Sequence, residues 1–185
     1  MFEVLPLHLR RMALFAVNTG CRDREICSLR WEWEMKVPEL DTSVFIIPGA
    51  GVKNGEDRLV VLNKIAQSVI EEARGMHHEY VFVDAGKLIL RILNSAWKRA
   101  RKKANLAVRV HDLNHTFGRR LRAAGVSFED RQDLLGHKSE RITTHYSAAE
   151  ISNLTKAANM VCKSDQNTNS PTLTLLRCII NSYEN

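Results

Sequence analysis

The sequence predicts a mixed α/β domain, mainly α-helical with a small antiparallel sheet near its front. Three observations carry this. Apolar residues recur at helical spacing in segments that stop at Gly20, Gly125 and Gly136. Between Met35 and Leu62 the period changes to short β-branched runs around a glycine-rich turn. A chain of 185 residues, 44% apolar and 26% charged, holds one packed domain with little to spare.

In order, Leu5, Leu9, Met12, Ala13, Phe15, Ala16 and Val17 fall mostly on one stripe and predict a helix to Asn18, with Pro6 near its start. Thr19-Gly20 ends it, since glycine accepts the positive φ of a C-terminal cap. A second helical pattern over residues 21–33 runs through Ile26, Leu29 and Trp31, with Arg22 at its mouth. Residues 44–47 and 59–62 predict paired strands around the turn 49–55, where Lys53 stands beside the turn signal Asn54-Gly55. Asn63 is placed to N-cap a helix to Arg74. Residues 80–83 read as a short buried strand and residues 87–104 as one long basic helix. Helices over 111–124, 127–135 and 139–147 follow, with a last one over 148–161. After Cys162 the composition turns polar before an apolar piece at 173–180. One domain over 1–162 and a linker with a tail over 163–185 are therefore expected.

The net charge of +6 is unevenly spread. Ten Lys/Arg residues and one acid, Asp112, lie between Arg91 and Arg122. Of these, Arg91, Lys98, Arg99, Arg101, Lys102, Lys103, Arg109 and Arg119 are candidate contacts to a DNA backbone. A solvated basic face accounts for the same composition. No apolar run nears the roughly 20 residues of a membrane span, and no charged leader precedes an apolar stretch. Membrane attachment and a signal peptide are not expected. Cys21, Cys27, Cys162 and Cys178 have neither zinc-site spacing nor disulfide-scaffold density, which suits reduced thiols in a cytosolic protein.

Five stretches can carry chemistry. In Thr19-Gly20-Cys21-Arg22-Asp23-Arg24-Glu25, the Arg22 fork can hold two phosphate oxygens, and Glu25 lies on the same helical face to orient it. A helix-start ion pair would look alike. Lys53 can be a proton donor or an ordinary turn lysine. His111 and His115 stand at i and i+4, the spacing of a helical metal pair. However, Asp112 replaces the metalloprotease glutamate and no third ligand has a recognisable spacing, so no metal is expected. Gly136-His137 follows a helix stop, and Tyr146 comes nine residues later. A phenol of pKa near 10 becomes a useful nucleophile only among cations.

In this order and spacing, Arg22, Lys53, His111, His137 and Tyr146 resemble the tyrosine recombinases, the phage-integrase family, over roughly residues 5–160. The resemblance implies that family's catalytic-domain fold, with a three-stranded sheet. Arg22 and His137 would contact the scissile phosphate, His111 would contact it or relay a proton, Lys53 would protonate the leaving 5′-oxygen, and Tyr146 would attack. The resulting 3′-phosphotyrosyl bond conserves the energy of the phosphodiester, so religation needs no ATP, metal or cofactor. Glu25 would support the site, and His115 would be a supporting or packing histidine. One element departs: Asn114 stands where the family has its second arginine, and an amide has neither the charge nor the fork. Arg119 lies about 140° around the helix from it and Arg120 is no better placed.

The implied function is site-specific recombination or integration of double-stranded DNA, with self-association into a tetrameric synapse. Such a protein would be cytoplasmic and nucleoid-associated, encoded by a bacterium, a phage or another mobile element. The alternative is a catalytically impaired DNA-binding accessory module; a topoisomerase-like relaxing enzyme is a third reading. The family's N-terminal DNA-clamping domain is expected to be absent, and residues 163–185 to be disordered or exchanged with a neighbouring subunit.

Overall fold

The structure, a computed structural model, describes residues 2–51, 55–137 and 147–163. Lys53, the helix expected over 139–147 with Tyr146, and the tail from 164 lie outside the described residues.

Helix α1 (Leu7–Thr19) turns Leu9, Met12, Phe15 and Ala16 into the core. Gly20 ends it at φ +67°, donating its N–H to Ala16 O at 3.0 Å. Helix α2 (Asp23–Cys27) is far shorter than the 21–33 expected. The backbone leaves the helix at Ser28, because Leu29 O accepts from Val81 N–H at 2.9 Å and Trp31 N–H donates to Glu79 O at 3.0 Å. These bonds flank an antiparallel bridge between Arg30 and Tyr80, so tertiary pairing overrides local helical preference here.

Strands β1 (Glu34–Val37), β2 (Thr42–Ile47) and β3 (Arg58–Val61) form a three-stranded antiparallel sheet in that order. Its register pairs Met35 with Val44, and Val44 with Val61. Phe45, Ile47 and Val60 join the core under α1, whereas Val44, Leu59 and Val61 join a second core on the opposite face. Burial on both faces explains why β2 and β3 read as continuous apolar runs instead of alternating ones.

Helix α3 (Lys64–Ala73) begins at Asn63, whose side chain accepts the Ala66 N–H at 2.9 Å. Val81 and Phe82 are buried, but the regular strand after them is β4 (Val83–Asp84), paired with β5 (Lys87–Leu88) across Ala85 and Gly86 at positive φ. The long helix expected over 87–104 is therefore only α4 (Ser95–Lys103). Asn94 caps it by accepting Trp97 N–H at 3.0 Å, and the Asp23 carboxylate holds Ile92 N–H at 2.8 Å, so the chain is tied to α2 before it can coil. Trp97 and Ala100 anchor α4, while Lys98, Arg99, Lys102 and Lys103 face outward.

Helices α5 (His111–Ala123), α6 (Phe128–Leu135) and α7 (Ala148–Lys163) follow the sequence periodicity closely. Phe117, Leu121, Leu134, Ile151, Leu154 and Ala158 from these three helices fill the second core. Asn159 on α7 accepts the Lys64 N–H at 2.9 Å, fastening α7 to the start of α3. Among the described residues, Cys21, Cys27 and Cys162 are free thiols, and no helix is long and apolar enough to cross a membrane.

Candidate active site

The site grows from the corner between α1 and α2. Gly20 permits the left-handed turn, so Arg22 arrives at the N-cap of α2 in extended geometry. Glu25 then reaches back: its carboxylate accepts the Arg22 backbone N–H at 2.7 Å and the Arg22 Nη1 at 2.8 Å. Such a reciprocal clasp at a helix start fixes both side chains. Glu25 is 2% exposed, whereas the Arg22 side chain keeps 26% of its surface open.

A residue outside the five sequence motifs completes the framework. Arg58, at the head of β3, is buried, and its Nη1 donates to Glu25 Oε2. Its Nη2 donates to Gly20 O at 3.0 Å. A charged residue opening a strand buried on both faces needs a buried partner, and only the fold shows which one. Asn114, on the inner face of α5, donates its amide to the same Gly20 O.

Two cavities open on either side of Asn114. The larger, about 410 Å³, is lined by Arg22, Arg24, Arg101, Arg109, His111 and Asn114, among others. The other, about 270 Å³, is lined by Asn114, His115, Arg119, Arg122, Arg131 and His137, together with Phe128 and Leu135 among others. The structure thus gathers Arg22, His111 and Asn114 on one wall and Asn114, His115 and His137 on the next. Arg101, Arg109 and Arg119 of the basic set join them. Arg91, Lys98, Arg99, Lys102 and Lys103 are exposed and line neither cavity. Arg109 spends its fork on Asp112, with Nη2 to Oδ1 at 3.0 Å.

His111 and His115 are both exposed, their rings edge to face at 4.4 Å. His115 is thus not a core-packing histidine. Among the described residues no three His, Cys, Asp or Glu side chains converge as a metal set. His137 follows Gly136, which ends α6 at φ +60°, and its N–H donates to Gln132 O at 3.0 Å. Partial desolvation, and then the charges of Arg22, Arg58 and His115, hold the His137 imidazole below its ordinary 6.5. An NMR titration of His137 is expected to give a midpoint below 6.5 that rises in Arg22→Ala and in high salt; a midpoint insensitive to both would remove these cations from its surroundings. Cys21, beside Arg22, is pushed up to about 11 by burial and stays a thiol.

The arrangement is a preorganised cationic surface with one guanidinium presented on a buried carboxylate, suited to a phosphodiester. The sequence matches the profile of the phage integrase family over residues 3–152. It is 29% identical over 167 residues to the integrase of Salmonella phage P22, covering 83% of this chain and 42% of that protein. It is 30% identical over 156 residues to the tyrosine recombinase XerA of Thermococcus kodakarensis, covering 80% and 53% respectively. Among solved structures, an integrase from mycobacterium phage Brujita superposes with a TM-score of 0.60 at 20% identity, over 83% of this chain and 51% of that one. The XerH site-specific recombinase bound to difH superposes at 0.54 and 21% identity, over 78% of this chain and 45% of that one. The chain spans about half the length of these relatives. It belongs to the phage integrase family, as a tyrosine recombinase catalytic domain.

Proposed function

We propose that this domain cuts and rejoins double-stranded DNA at a specific site, within an assembly of several copies on the DNA. The observation that carries this reading is Arg22, set on buried Glu25 and Arg58 and facing a cationic cavity shared with His111 and Asn114. In the proposed step the Tyr146 phenol gives up its proton, relayed by exposed His111 to solvent, and its oxygen forms a bond to the scissile phosphorus as the bond to the 5′-oxygen breaks. Lys53 delivers a proton to that leaving oxygen. Arg22 neutralises charge growing on the non-bridging oxygens, with His111 and His137 donating alongside it. Attack by the freed 5′-hydroxyl on the phosphotyrosyl reverses the step.

The basic helix α4 supplies sequence-independent affinity. Arg101→Ala/Lys102→Ala/Lys103→Ala is expected to flatten the salt dependence of DNA binding, by a slope of about 0.9 for each phosphate no longer neutralised. Fluorescence anisotropy across a salt series measures it, and an unchanged slope would turn this face of α4 away from the DNA.

A second reading is favoured by Asn114, whose amide is already committed to Gly20 O: an accessory DNA-binding module with impaired cleavage. A nicked duplex carrying half-sites from DNA flanking the coding sequence separates the two. The cleavage reading predicts a denaturation-resistant protein–DNA adduct. DNA binding without an adduct, in this chain and in Asn114→Arg, selects the accessory reading.

A further inference from the structure

We propose that Arg58 is a positioning residue of the cleavage site, the buried counter-charge that leaves the Arg22 guanidinium free to take a phosphate. This rests on the phosphodiester reading above. The Arg58 side chain is 2% exposed and touches three parts of the site. Nη1 donates to the Glu25 carboxylate and Nη2 to Gly20 O at 3.0 Å. Its Nε and Cδ lie against the corner that leads into His137: a Cβ on Gly136 would stand 2.7 and 2.8 Å from them. One planar fork therefore braces the glycine turn before Arg22, the carboxylate that holds Arg22, and the glycine turn before His137. A lysine, with one terminal nitrogen, cannot span Glu25 and Gly20 in this way.

The charges give Arg58 its functional weight. Glu25 has one negative charge and accepts three donors: the Arg22 N–H, the Arg22 Nη1 and the Arg58 Nη1. With Arg58 removed, Glu25 and Arg22 would form a neutral pair, and the pull of Arg22 on a phosphate would fall. With Arg58 in place the trio is singly positive. Arg22 has the open side chain, 26% exposed against 2% for each of the others, so the surplus charge emerges there. A low-dielectric setting strengthens this effect, because the two inner charges are poorly screened.

Inorganic phosphate is the probe, titrated into the full chain while the Arg22 side-chain N–H and the His137 ring are followed by NMR. The unmodified chain and Ile70→Ala, a core truncation on α3, are expected to bind alike. Arg58→Met is expected to bind about tenfold or more weakly, and Arg58→Met/Glu25→Gln to recover most of the affinity, since no carboxylate is left to neutralise Arg22. A purely structural role would not give that recovery. Arg58→Lys keeps the charge and loses the fork, so intermediate affinity is expected. If Arg58→Met fails to fold, the double variant, which removes both buried charges together, and Arg58→Lys carry the test. Phosphate affinity unchanged in a folded Arg58→Met, no recovery in the double variant, fully native affinity in Arg58→Lys, or no phosphate binding at Arg22 in the unmodified chain would each overturn the proposal. Adduct formation by Tyr146 is scored separately: its absence with phosphate binding intact contradicts the cleavage reading and leaves the role of Arg58 standing.

Discussion

Asn114→Arg is expected to accelerate strand cleavage by about 10²–10³-fold, the usual worth of one transition-state donor. The structure gives the replacement a place to go. Asn114 stands between the two cationic cavities, of about 410 and 270 Å³, so a longer side chain can extend instead of clashing. Its amide now serves Gly20 O, an oxygen that Arg58 Nη2 also serves, so withdrawing it does not orphan that carbonyl. A guanidinium there would add the charge and the fork that the amide lacks. Single-turnover adduct formation on the nicked duplex measures the gain. An unchanged rate would mean that the site already draws a second guanidinium from its walls, where Arg24 and Arg101 are the candidates, Arg109 being paired with Asp112.

Gly20→Ala is expected to destabilise the fold by about 2–5 kcal/mol. Holding alanine at φ +67° costs about 1–2 kcal/mol. The added Cβ would meet Leu135 Cδ2 and Phe117 Cδ1, each at 2.9 Å, and overpacking of this kind typically costs about 1–3 kcal/mol. Against a total stability of about 5–15 kcal/mol for a domain, that is a large fraction. A lower urea midpoint at unchanged denaturant slope is the expected readout. A loss below about 1 kcal/mol would show that the corner relaxes, and with it the rigid placement of Arg22.

Gly20 also marks what could be read from sequence. A glycine after an apolar stripe announced the end of α1, and the same logic placed α5 and α6, because these helices bury one face and stop at residues that tolerate positive φ. The arginine box was legible because Thr19, Gly20, Arg22 and Glu25 are neighbours in the chain. Features that depend on distant partners were not legible. Leu29 and Trp31 fit a helical stripe, yet their backbones pair with Val81 and Glu79. The apolar string before α4 looked helical, yet Asp23 holds Ile92 and Asn94 restarts the helix. Arg58 lies just before the strand read over 59–62, and its partners, Gly20 and Glu25, lie 38 and 33 positions away.

Peptide mapping of the trapped adduct tests the central claim most directly. The nicked duplex would be incubated with the unmodified chain, Asn114→Arg and Asn114→Arg/Tyr146→Phe, and the DNA-linked peptide sequenced by mass spectrometry after proteolysis. The account predicts a nucleotide joined through its 3′-phosphate to Tyr146, strongest in Asn114→Arg and absent when the phenol oxygen is removed. A linkage to another residue, an adduct that survives Tyr146→Phe, or no adduct even with arginine at position 114 would contradict it.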